Sequence, residues 1–200
     1  MKKIINKYLI FTALLSFFLN SNLFAFEKNI LSIGDENAEV TVKVFSSLTC
    51  PHCANFHIKI FENLKKDYID TKKVKFEHHG FPLDLAALNA EKILRSVKNK
   101  EKSFQFLSEI YRKQDQWSSG SDIEKINDSI KKIALKFGLS SEIIEKFIEN
   151  EEVQDQILNE RINAQKKYKI SSTPTIYIND KKYEGTHEYK KFKKEIEKYL

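Results

Sequence analysis

The sequence predicts an α/β domain in which a strand-helix-strand unit and a C-terminal strand-strand-helix unit are separated by a helical insertion. Three observations carry this. Residues Val40 to Phe45 read VTVKVF, a β-branched and aromatic run that passes at once into a helical pattern. From Asp84 to Tyr168 the apolar residues recur only at helical spacing. From Pro174 onward the β signal returns.

In chain order, the first strand leads through Ser-Ser-Leu-Thr to Cys50-Pro51-His52-Cys53. Pro51 suits the first turn of a helix, where a missing N–H costs nothing, and Phe56, Ile60, Phe61 and Leu64 mark the buried face of a helix ending near Tyr68. A second strand over Val74 to His78 completes a βαβ unit, closed by Pro82. The insertion, about residues 84–168, then reads as successive amphipathic helices. Leu85, Leu88, Ile93 and Val97 mark one, and Phe104, Leu107, Ile110 and Tyr111 the next. A capping box of Ser121 and Glu124 opens a helix through Ile126, Ile130 and Ile133 that Gly138 stops. Ile143, Ile144, Phe147 and Ile148 form a short helix, and Val153, Ile157, Ala164 and Tyr168 a longer one. Trp117 and the phenylalanines are explained by packing. Pro174 to Ile178, a turn at Asn179-Asp180, and Lys181 to Tyr183 read as a hairpin, and His187 to Leu200 as a final helix.

Two hundred residues suffice for one domain with a sound core, and 41% hydrophobic with 31% charged residues fits a globular chain. Lys2, Lys3 and Lys7 precede an apolar run from Tyr8 to Leu19, the length of a signal-peptide core, and Leu23-Phe24-Ala25 offers a cleavage site. We therefore expect residues 1–25 to be a signal peptide and 26–200 the mature domain, with an uncleaved N-terminal anchor as the alternative. Removing those three lysines from the 34 basic residues leaves 31 against 28 acidic ones. Such a balance, with Lys and Glu interspersed, reads as a solvated surface and gives no footprint for nucleic acid.

The chain has two cysteines, three residues apart, and a disulfide between them closes too small a loop to stabilise a fold. Chemistry is the better explanation. At a helix N-terminus, unpaired N–H groups and the helix dipole favour a thiolate on Cys50, below the free value of about 8.5, and His52 can add a positive charge or a hydrogen bond. Each unit of depression is about 1.4 kcal/mol toward the reduced form, which makes the disulfide a stronger oxidant. An isolated CxxC could also be half of a zinc site with His57, His78 or His79, but no second CxxC or spaced His pair completes four ligands. His57, His78, His79 and His187 read instead as surface or strand-end residues.

Taken together, Cys50-Pro51-His52-Cys53 on a helix, Phe81-Pro82-Leu83 after the second strand, a helical insertion, and Ser172-Thr173-Pro174-Thr175 entering a late strand resemble the DsbA family from about Gly34 to the C-terminus. The resemblance implies a thioredoxin-like fold with its helical insertion between the βαβ unit and the C-terminal ββα unit. It implies a monomeric periplasmic thiol oxidase without bound cofactor or metal, with Cys50 the exposed cysteine and Cys53 its buried partner. Thr173 and Pro174 would form a cis-proline loop beside the disulfide, offering the Thr173 backbone to an extended substrate chain. The partners implied are unfolded exported proteins with thiols, and a quinone-coupled membrane oxidase as reoxidant.

Two departures stand out. Family members often carry a buried acid six residues before the first cysteine, where this chain has Val44; proton handling at Cys53 is thereby left unassigned, with Glu77 as a candidate. They also carry a glycine ahead of the proline loop, where this chain has Lys169-Ile170. Rival readings are a disulfide isomerase or reductase, which needs the pair kept reduced, and a non-catalytic peptide- or metal-binding module of the same fold. Known isomerases of this fold dimerise through an added N-terminal domain, for which the stretch between Ala25 and the first strand is short.

Overall fold

The structure, a computed structural model, describes residues 30–200. The expected signal segment and its cleavage point lie outside the described residues. Five strands form one mixed sheet: β1 (Leu31–Ile33), β2 (Val40–Ser46), β3 (Val74–Gly80), β4 (Thr175–Ile178) and β5 (Lys181–Lys182), in the order β1-β3-β2-β4-β5. β2 and β3 run parallel, Val42 opposite Phe76 and Val44 opposite His78, and every other pairing is antiparallel. Helix α1 covers residues 51–69 and joins them, as the βαβ reading requires. Two stretches of α1, His57–Phe61 and Lys65–Ile69, are wound as π-helix, and the first of these carries the buried His57.

Strand alternation sorts the sheet into two faces. Phe76 meets Phe61 of α1 at 4.6 Å and Phe104 at 6.0 Å, so Val42, Val44, Phe76 and His78 look toward α1. Phe45 looks the other way, 4.8 Å from Tyr168 and 6.2 Å from Tyr177. β1 was not expected; a three-residue strand is too short to show alternation in sequence. It pairs with β3 as far as Ile33, and Gly34 follows, whose φ of +107° and close approach to the Val74 carbonyl exclude a side chain.

The insertion comprises α2 (Leu85–Ser96), α3 (Lys100–Arg112), α4 (Gln114–Trp117), α5 (Ile123–Leu135), α6 (Ser141–Glu149) and α7 (Glu151–Tyr168). Its starts are written in cap residues. Asp84, Asn99, Asp122, Ser140 and Asn150 each accept a backbone N–H of the first turn, an arrangement that contributes about 1 kcal/mol per cap. The cap of α5 is thus Asp122, one residue beyond the expected Ser121, and α5 ends at Leu135, with Gly138 at φ +83° in the turn that follows. Trp117 is buried and donates its indole N–H to the Ile110 carbonyl at 2.9 Å, joining α3 to α4.

At the hairpin, Asn179 adopts φ +52° and exchanges two hydrogen bonds with Thr41, backbone N to O at 2.7 Å and Oδ1 from N at 2.8 Å, which locks β4 to β2. The last helix, α8 (Tyr189–Ile196), is shorter than the expected 187–200. The Tyr183 hydroxyl bonds the Thr186 carbonyl and holds the residues before α8 in a loop, while Leu200 is exposed.

Candidate active site

The end of β2 and the first turn of α1 meet the β3–α2 turn, the cis-proline segment and α4. Phe81 N donates to Ser46 O at 2.8 Å, Leu83 N to Ser47 Oγ at 3.3 Å, and Thr49 Oγ1 to Asp84 Oδ2 at 2.6 Å. Phe81-Pro82-Leu83, singled out in the sequence, therefore holds the loop leading to Cys50. From the other side the buried Gln114 donates Nε2 to Leu48 O at 2.7 Å and to Cys50 O at 3.1 Å. Sequence reasoning missed Gln114, since nothing near it hints at a partner more than sixty residues earlier.

Cys50 occupies the N-cap position of α1 in extended conformation, and Pro51 follows in the first turn. The sulfur thus stands where a capping oxygen ordinarily stands, facing backbone N–H groups. Its pKa falls to about 5. The largest cause is a hydrogen bond from the Cys53 thiol; burial opposes it, and the Thr173 side chain and the backbone N–H groups of Cys53 and His52 add to it. Of the two contributions expected from His52, a charge or a hydrogen bond, the hydrogen bond is present and comes from its backbone N–H. Cys53 moves the opposite way: burial first, and then the Cys50 sulfur, push its thiol far above the ordinary range. Both are free thiols, and "exposed" proves a relative word, with Cys50 8% exposed against 1% for Cys53. Pro51 and His52 are the exposed members of the quartet.

The Thr173–Pro174 peptide bond is cis, and the Cys50 thiol donates to Thr173 O at 3.3 Å across 123 residues of chain. The Thr173 hydroxyl is buried without a hydrogen-bond partner and favours the thiolate of both cysteines. Cys50, Pro51, His52, Cys53, Thr173 and Pro174 therefore come together as one locus.

His78 and His79 stand near the end of β3, as the strand-end alternative expected, but they and His57 are buried rather than at the surface, each with a polar partner: Glu91 Oε2 at 3.1 Å for His78, Glu77 Oε2 at 3.1 Å for His79 and Ser108 Oγ at 2.8 Å for His57. Glu77 cannot serve Cys53. It lies on the sheet face opposite α1, bonded to His79 and to Lys75 Nζ at 3.1 Å; burial pushes its carboxyl up, and those two partners overcome it and hold the pKa at about 2. Among the described residues no three His, Cys, Asp or Glu side chains stand where they could share a metal ion, and no helix is long and apolar enough to cross a membrane.

Comparison with known proteins agrees with this geometry. A thioredoxin family model matches residues 27–198. The chain is 32% identical over 180 residues to disulfide bond formation protein D of Bacillus subtilis, covering 84% of this chain and 76% of that one. It is 28% identical over 157 residues to a Rickettsia bellii relative, covering 78% of this chain but only 59% of that longer one. The crystal structure of Wolbachia pipientis alpha-DsbA1 superposes with a TM-score of 0.80 at 28% identity, covering 86% of this chain and 91% of the other. With the family model spanning nearly the whole chain and these relatives beside it, the chain belongs to the DsbA family of thioredoxin-like protein-disulfide oxidoreductases.

Proposed function

We propose that the protein donates a Cys50–Cys53 disulfide to thiols of exported proteins as they fold in the bacterial periplasm. The observation that carries this reading is the asymmetry of the two sulfurs, with Cys50 at a pKa of about 5 and Cys53 driven far upward. A substrate thiolate attacks Cys50 Sγ, the Cys50–Cys53 bond breaks, and a mixed disulfide forms. A second substrate thiol then attacks the substrate sulfur, and Cys50 leaves as a thiolate. Two electrons have passed from the substrate dithiol to the pair, Cys53 has kept one proton and solvent has taken the other.

A sulfur this acidic is a good leaving group and a weak competitor for the mixed disulfide, so transfer runs toward the substrate. Thr173 and Pro174 border the sulfur with peptide backbone, a surface suited to an extended chain of any sequence. Pro51 and His52 form the exposed approach to it. Residues 1–25 serve as the export signal, the domain acts as a monomer without a cofactor, and a quinone-coupled membrane oxidase restores the disulfide.

Mixing the oxidised protein with a reduced, unstructured peptide carrying two cysteines tests this. One peptide disulfide per protein is expected, and none from Cys50→Ser or Cys53→Ser, neither of which can form the disulfide to be donated. Failure to oxidise the peptide, with reduction of its disulfide form by the dithiol protein instead, would overturn the donor reading in favour of a reductase.

A further inference from the structure

Opening the disulfide removes the covalent bond that ties Cys50 to Cys53, and from then on the reactive sulfur keeps its place only as well as the loop before it does. Inside that loop, residues 47–50, the backbone makes a turn in which Cys50 N donates to Ser47 O at 3.1 Å. Further holds come from two sides, the β3–α2 turn and α4.

On the first side the hydrogen bonds run in a single direction. Thr49 Oγ1 donates its one proton to Asp84 Oδ2 at 2.6 Å, so the Ser47 hydroxyl, 3.1 Å from Thr49 Oγ1, is the donor between those two. Ser47 Oγ in turn accepts from Leu83 N at 3.3 Å. The chain starts at a backbone N–H and ends at the carboxylate of the next residue, which closes a ring between the loop and the turn. The second Asp84 oxygen accepts Ala87 N at 2.7 Å as the cap of α2, so the acid is fixed by the helix it starts.

On the other side one amide holds two carbonyls. Gln114 is 8% exposed, and Nε2 directs one hydrogen to Leu48 O and the other to Cys50 O. Both partners are acceptors, so the contacts themselves fix which way the amide faces. Leu48 is 1% exposed, and without Gln114 its carbonyl is left unpaired away from water, a cost that favours turning the Leu48–Thr49 peptide toward another partner. That peptide adjoins Cys50. It is gripped at both ends, its carbonyl by α4 and the side chain that follows by the start of α2. The single turn of α4 is itself anchored to α3 by the indole of Trp117.

We propose that Gln114, Thr49 and Asp84 are positioning residues of the exchange reaction, through which the insertion holds the Cys50 sulfur beside the Thr173 carbonyl while that sulfur is bonded to substrate instead of to Cys53. When a substrate thiolate attacks Cys50, the Cys50–Cys53 bond breaks, its electron pair goes to the Cys53 sulfur, and Cys50 becomes joined to a moving chain. The clamped loop keeps Cys50 at the N-cap of α1, at φ −79° and ψ 119°, where the groups that favour its thiolate act as it leaves. The insertion thereby serves the chemistry as well as the shape of the surface.

This inference rests on Cys50 being the exchanging sulfur, and the test separates the two. The reduced protein is treated with iodoacetamide from pH 4 to pH 9, and alkylation of Cys50 is followed by mass spectrometry. Gln114→Leu removes both donors and Thr49→Val the hydroxyl link; neither changes the charge of the protein, so a shift cannot come from a lost ion. The midpoint should rise by about one pH unit in Gln114→Leu, by less in Thr49→Val and by more than either in the double variant. At pH 7 the equilibrium of Gln114→Leu with glutathione should move about ten-fold toward the oxidised protein, a potential lower by about 30 mV. Variants that melt below the parent yet keep its midpoint within about 0.2 pH unit would overturn the clamp and leave a role in stability alone. Should Gln114→Leu not fold, Thr49→Val, altered only at a half-buried hydroxyl, decides by itself, and an unmoved midpoint there overturns the clamp. A parent midpoint near the free value of about 8.5 would overturn the donor reading and the clamp with it, since there would be no favoured thiolate for the loop to hold in place.

Discussion

The two sides of the Cys50–Cys53 pair are built in opposite ways. The outer side, where Cys50 lies, is made of groups in the first turn of α1 and the cis-proline loop: the Cys53 thiol, the Thr173 side chain and carbonyl, and the backbone N–H groups of Cys53 and His52. The inner side, where Cys53 lies, is made of side chains that have left water, Ser46, His78, Glu91 and Tyr111, each contributed by a different element. The Cys53 thiol first, then the Thr173 side chain and the backbone N–H groups of Cys53 and His52, favour a thiolate on Cys50 whenever the pair is reduced. The contrast teaches that the outer side is built from groups beside the sulfur and the inner side from groups gathered across the chain, the two being joined through Cys53.

The largest effect should come from cutting the inner side. Glu91→Ala leaves His78 and Arg95 facing a buried gap, and unfolding of the reduced protein in urea should show a loss of about 3–5 kcal/mol. A loss below about 1 kcal/mol would mean that these groups do not act as a bonded unit. Gln114→Ala removes the donor that ties α4 to the Leu48 and Cys50 carbonyls and should cost about 1–3 kcal/mol in the same assay.

The outer side is best probed by pH. The alkylation rate of Cys50 should rise with a midpoint near pH 5, and Thr173→Val, which removes a hydroxyl that favours the thiolate, should move that midpoint upward. A depressed thiol pKa stabilises the folded reduced protein fully above the free value of about 8.5, and that stabilisation is lost as pH falls through about 5. The melting temperature of the reduced form should therefore fall relative to the oxidised form over that window. The smallest change concerns Lys169, which holds φ +49° at the C-terminus of α7 where glycine is favoured; Lys169→Gly should gain at most ~1 kcal/mol and leave the Cys50 midpoint in place.

The same division explains what the sequence could tell. The outer side is local: a strand, a cysteine at an N-cap and a proline at the first turn are neighbours in the chain, and the Ser172 to Thr175 segment announces itself by composition. The helices were legible for a similar reason, since apolar periodicity and cap residues are local, although the one-turn α4 was not expected and two starts moved, from Ser121 to Asp122 and from His187 to Tyr189. The inner side is assembled across the chain. Ser46 and His78 lie 32 residues apart and His78 and Glu91 13 apart, and the helical pattern of Leu85, Leu88 and Ile93 gives no reason to turn Glu91 inward. The sequence places these histidines at the surface or at strand ends; it does not show the burial of His57, His78 and His79, because a histidine buries with a partner, and partners at long range leave no mark in a single sequence.

The reduction potential of the Cys50–Cys53 pair, equilibrated against glutathione buffers from pH 4 to pH 8, tests the central claim most directly. The account expects a potential well above the glutathione poise, falling by about 30 mV per pH unit above pH 5 and by about 59 mV per unit below it, because reduction takes up one proton above that point and two below. A potential below the glutathione poise, or a slope of about 59 mV per unit up to pH 8, would contradict a thiolate on Cys50 and, with it, the donor role.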